Sequence, residues 1–97
     1  MNVFRSRKRA EYDAQGYAAD SARMDELARG QAGFIDYKSF TAADGETVTI
    51  SIWASRADAE SWARHPEHLA AQGRGRGEYY AEYTVYSCDE ARERRFP

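Results

Sequence analysis

Two imidazoles and a carboxylate fall within four residues at His65-Pro66-Glu67-His68. Three kinds of chemistry are open to this group. As a metal site it offers two ring nitrogens and one carboxylate, but Pro66 forces a break there. The histidines then do not share one helical face, and the His-Glu-x-x-His spacing of zinc proteases is absent. As a helix start, His65 stands just before the first turn and Glu67 lies near the positive helix end. As part of a pocket rim, either imidazole serves as a general base or a hydrogen-bond donor.

Trp53 and Trp62 are the next candidates. Tryptophans at such positions belong either to the core or to the walls of a cavity. Small or polar neighbours (Ser6, Thr49, Ser51 and Gln72) leave room for a cavity between sheet and helices, walled by indole and phenol rings. Gly73-Arg74-Gly75-Arg76-Gly77 resembles a fragment of an arginine-glycine RNA-binding tract, but it suits a flexible helix-to-strand connection better. The aromatic signature of an RNA-recognition strand is missing from Gly45-Glu46-Thr47-Val48-Thr49-Ile50-Ser51-Ile52. Cys88 has no basic neighbour in sequence to activate its thiol.

The 97 residues make one domain, with 14 basic against 16 acidic side chains and a net charge of −2. Phosphate-backbone binders carry a positive excess, so no nucleic-acid partner is expected. One cysteine excludes an intramolecular disulfide and a four-cysteine zinc site. Apolar runs are too short for a membrane span, and the N-terminus lacks the apolar core of a signal peptide, so a cytoplasmic protein is expected.

These candidates must be positioned by the elements that the patterning predicts. Residues 2–8 read as a strand and 11–29 as a helix with Tyr17, Met24, Leu27 and Ala28 along one face. Gly30 is expected as a left-handed cap and Gly33 as a turn. Residues 34–41 and 46–54 read as a hairpin joined through Ala43-Asp44-Gly45-Glu46. In the second strand Val48, Ile50 and Ile52 share one face, and Thr47, Thr49, Ser51 and Trp53 the other.

Ser55 to Asp58 has capping-box spacing, and a short helix carrying Trp62 follows. A second short helix begins at Pro66 and runs through Gln72; residues 73–77 are a loop, 79–88 a strand, and 89–97 a charged, solvated tail. The order βαββαβ predicts a ferredoxin-like antiparallel sheet with helices on one face over residues 1–88. Alternation puts Tyr79, Tyr83 and Val85 on one face of the last strand and Tyr80 and Tyr86 on the other. A two-sided aromatic strand in a sheet covered on one side predicts a homodimer through the open face.

Gln31-Ala32-Gly33-Phe34, the segment from Trp53 to Trp62 and His65-Pro66-Glu67-His68-Leu69-Ala70-Ala71-Gln72 resemble the antibiotic biosynthesis monooxygenase (ABM) family. The resemblance covers about residues 3–87 and implies a dimeric α+β barrel. It also implies a cofactor-independent monooxygenase that oxidises an aromatic or polyketide-like small molecule with O2. His68 and His65 are then the catalytic candidates, and Trp53, Trp62, Gln72 and Ser6 the substrate-binding ones. In such chemistry a deprotonated polyphenol passes an electron to dioxygen, and the radical pair combines to a hydroperoxide that collapses to a quinone. The alternative is a non-enzymatic small-ligand-binding protein with the same pocket. The family's heme-degrading branch is less favoured: Trp62 matches its tryptophan, but its heme-ligating histidine falls on Gln72, with His68 about one helical turn earlier in a similar direction, and its first-strand asparagine falls approximately on Ser6. No cofactor is expected, and heme ranks last.

Overall fold

The alternating segment Thr47–Trp53 forms β3, and its two faces settle the architecture of the computed structural model, which describes residues 1–89 and 91–97. β3 pairs antiparallel with β2 (Phe34–Thr41) on one side and with β1 (Asn2–Lys8) on the other. β4 (Tyr80–Ser87) pairs with the free side of β1, giving the order β2-β3-β1-β4. Among the described residues there are three α-helices: α1 (Ala14–Arg29), α2 (Arg56–Ala63) and α3 (Pro66–Arg74). The fold is the expected ferredoxin-like α+β arrangement, and within one chain the sheet is open, with β2 and β4 at its edges.

The helices cover the face that carries Thr47, Ser51 and Trp53, where Met24 and Ala28 of α1 and Trp62 of α2 close the core with Trp53. The aliphatic side of β3 points the other way. On that uncovered face the register aligns Val3 with Ile50 and Tyr86, and Phe40 with Val48. The polar side of β3 is therefore the inward one, the reverse of the usual strand pattern.

Local sequence accounts for the helix ends. Asp13 caps α1 by accepting from the Gly16 N–H at 2.9 Å, so the helix begins at Ala14 rather than near Glu11. Ser55 caps α2 through the Asp58 N–H, as the capping-box spacing predicts. At the end of α1, Gly30 keeps right-handed geometry with φ −89°, and the left-handed residue is Gly33 with φ 78°. The backbone reverses there because the Gly33 carbonyl must accept from the Ala54 N–H at 2.7 Å.

The largest departure from expectation lies at residues 73–80. The glycine-arginine stretch is helical: α3 continues to Arg74 and passes into a π-helical turn, Gly75–Tyr79. Arg9 secures this turn, its guanidinium donating to the carbonyls of Arg76 at 2.8 Å and Tyr80 at 3.2 Å. A side chain at Gly75 would meet the Tyr80 ring at 2.6 Å, so the close approach requires glycine. Tyr79 consequently belongs to the turn, not to β4. A register shift opposite Arg7 and Lys8 then brings Tyr80 onto the same face as Tyr83 and Val85. The expected division of tyrosines is thus corrected, and Tyr86 is the one tyrosine of β4 on the uncovered face. Residues 91–97 of the expected tail are exposed and carry no regular structure; Glu90 lies outside the described residues.

Candidate functional site

A cavity of about 300 Å³ lies between the inward face of the sheet and helices α1 and α3. That volume is at the small end of the range for ligand pockets. It exists because the inward face carries small polar side chains, Thr49 and Ser51, where bulky aliphatics would have filled the space.

His68 projects from the first turn of α3 into the cavity wall and stacks on Trp62, ring centroids 4.4 Å apart and planes 13° from parallel. Its Nδ1 lies 3.0 Å from the Trp62 carbonyl oxygen. A carbonyl only accepts, so Nδ1 carries the proton and Nε2 is left with a free lone pair. Burial holds the imidazole below its ordinary pKa of 6.5, which keeps the ring neutral at physiological pH. A fixed tautomer, a neutral ring and a free Nε2 are the properties of a general base.

The other histidine has a different task. The Nδ1 of His65 accepts from the Glu67 N–H at 3.1 Å and caps α3, and the residue does not line the cavity. Gln72 and Trp62 do line it. Trp53 lies behind Trp62, ring centroids 6.0 Å apart, with Phe34 edge-on to it at 5.9 Å; it supports the wall without forming it. Ser6 is buried with its hydroxyl unpartnered and also stands outside the cavity lining. Of the six candidates, the structure thus gathers Trp62, His68 and Gln72 in one cavity. Trp53, His65 and Ser6 lie around it.

Tyrosines form a large part of the wall. Tyr17, Tyr79, Tyr80 and Tyr83 join Phe4 in a set of edge-on and tilted ring contacts, and Tyr37 also lines the cavity. Burial pushes the Tyr37 phenol up to about 12 and raises that of Tyr80 as well, while Tyr79 is pushed up to about 12 chiefly by its hydrogen bond to Asp20. These hydroxyls therefore stay protonated and can donate. Asp20 accepts from the Tyr79 hydroxyl at 2.7 Å and from the Arg74 guanidinium at 2.8 and 3.0 Å. The Arg74 bonds hold its carboxyl below the usual carboxylate range.

Sequence reasoning omitted Asp20 and most of these tyrosines. The helical phase of α1 would have found Asp20, which stands three residues after Tyr17 and four before Met24. Tyr79 and Tyr80 carried no such signal, because their placement depends on the π-helical turn and the register shift.

Among the described residues no group of three His, Cys, Asp or Glu side chains is placed to hold a metal ion. Gln72 supplies an amide where the heme-degrading pattern needs an imidazole, and an amide is not a customary axial ligand of heme iron. No helix among the described residues is long and apolar enough to cross a membrane.

The sequence matches the family model for antibiotic biosynthesis monooxygenase over residues 2–74. It is 38% identical over 81 residues to the uncharacterised protein YqjZ of Bacillus subtilis, covering 84% of this chain and 71% of that one. Among solved structures, Rv0793 from Mycobacterium tuberculosis superposes with a TM-score of 0.75 at 22% identity, covering 94% of this chain and 96% of the other. SnoaB from Streptomyces nogalater, a cofactor-independent oxygenase, superposes with a TM-score of 0.70 at 16% identity, covering 93% and 92%.

Proposed function

This chain belongs to the antibiotic biosynthesis monooxygenase family, and from that premise we propose that it is a cofactor-independent monooxygenase that oxidises an aromatic or polyketide-like phenol with O2. The observation that carries the proposal is His68: a neutral imidazole fixed by the Trp62 carbonyl, with Nε2 free, in a cavity to which seven aromatic side chains contribute. The description of SnoaB as a cofactor-independent oxygenase on the same fold supports it.

In the proposed reaction Nε2 of His68 takes the phenolic proton, and the Tyr37 hydroxyl, kept protonated by burial, is available to donate to the phenolate. The phenolate passes one electron to O2, and the phenoxyl and superoxide radicals combine into one carbon–oxygen bond. His68 returns its proton to the peroxide. Loss of water across that carbon then leaves a quinone carbonyl, so one O2 gives one quinone and one H2O. Gln72 orients the ring, and Trp62 supplies a flat wall against it. Proximity and exclusion of bulk water do the rest. Oxygen uptake with a panel of polyphenols tests this: turnover supports the enzyme, and saturable binding without O2 consumption would make the chain a small-ligand-binding protein instead.

We further propose that the protein works as a cytoplasmic homodimer joined through the uncovered sheet face, where Val3, Phe40, Ile50 and Tyr86 stand without a covering layer. The chain exposes 6925 Å², whereas the scaling for a compact monomer of 11.0 kDa gives roughly 5,600 Å². The exposed tail and the bare sheet face both add to that surface. A dimer should bury on the order of 1,500 Å² or more in total. Light scattering at micromolar concentration should return twice the chain mass; a stable monomer would contradict this assembly.

A further inference from the structure

Asp20 is the one formally charged side chain in the cavity lining among the described residues. Its two oxygens offer about four acceptor positions. Oδ2 takes the Tyr79 hydroxyl and Arg74 Nε, and Oδ1 takes one Arg74 nitrogen, Nη2. One position on Oδ1 is left. Arg74 is itself absent from the cavity lining, so its positive charge pins the carboxylate from behind while the cavity faces the negative one. Asp20 belongs to α1 and His68 to α3, so two anchored acceptors contribute to the wall from different helices.

We propose that Asp20 is a specificity-determining residue of this cavity. It accepts a hydrogen bond from a second hydroxyl of a neutral, at least dihydroxylated aromatic ligand, and it disfavours ligands that carry a carboxylate. The inference rests on the cavity being the substrate site, and it deepens the proposed function by specifying the substrate class. A hydroxyl donated to a carboxylate is a charge-assisted bond, about twice as strong as a neutral one. A ligand carboxylate would instead meet a like charge, with no cation among the described residues of the cavity lining to pair with.

The test is isothermal titration calorimetry under argon with 1,5-dihydroxynaphthalene, 1-naphthol and 1-naphthoate. Without O2 it reads binding alone, so it stands apart from the question of turnover. The wild-type protein should bind the diol about tenfold or more tighter than the naphthol, and the naphthoate most weakly. Asp20→Asn should bring diol and naphthol within about threefold of each other and strengthen naphthoate binding about tenfold. Arg74 stands outside the cavity lining, and Arg74→Lys disturbs the same internal network but keeps the carboxylate, so it should retain the wild-type order. The proposal is overturned if Asp20→Asn keeps that order, if Arg74→Lys loses it equally, or if the wild-type protein binds none of the three.

Discussion

Replacing His68 with glutamine is expected to lower the rate of O2-dependent turnover by about 10²–10⁴-fold, the usual contribution of a positioned general base. Glutamine roughly keeps the size and polarity of the side chain but cannot take the phenolic proton. The pH profile makes the test specific. Burial places the imidazole pKa below 6.5, so the base form persists in mildly acidic solution. The rate should fall only as pH drops through this lowered value, and that acidic limb should vanish in the variant. Stability should follow the same group. The unfolded chain takes up the proton more readily than the folded one, so the folded protein should lose stability as pH falls below about 6.5. In His68→Gln that component should be gone. Unchanged turnover with an unchanged profile would remove His68 from the chemistry.

Trp62→Ala is expected to have the largest effect on stability. The indole is buried, stacked on Trp53 on one side and on His68 on the other, and it joins α2 to the core between sheet and helices. Removing it should cost about 3–5 kcal/mol, a fall in melting temperature of roughly 12 °C or more for a domain of this size. Ligand binding should weaken as well, because His68 loses the surface that holds its ring flat. Trp62→Phe separates the two roles: a retained aromatic face should recover a substantial part of both. If Trp62→Ala changes the denaturation midpoint by less than about 1 kcal/mol, the indole is not the keystone of this core.

The sequence carried the fold well and the site in part, for identifiable physical reasons. Strong period-two alternation defined β3, and capping chemistry at Ser55 and Pro66 separated α2 from α3. Trp62, His68 and Gln72 were legible as site residues by side-chain type, an indole, an imidazole and a polar neighbour of a cavity, and by the resemblance of their segment to the family. Their separation from His65 was not, since an N-cap histidine and a cavity histidine look alike until the backbone direction at Pro66 is known. The tyrosine wall was hidden more deeply. Alternation assigned Tyr80 and Tyr83 to opposite faces, and a one-residue register shift put them together. The glycine-arginine stretch looked like loop because glycine is a poor helix former. Arg9, more than sixty residues earlier, supplies the hydrogen bonds that hold it in a π-helical turn. Long-range contacts of this kind leave no local signature.

The most direct test of the central claim is isotopic. Chelator-treated protein, an electron-rich polyphenol that it turns over and ¹⁸O2 should give one quinone per O2 consumed. One labelled oxygen should appear in the quinone and the other in water, with no accumulation of hydrogen peroxide. An unlabelled quinone formed together with one equivalent of peroxide would mean simple two-electron oxidation of the phenol by O2. That result would contradict a monooxygenase.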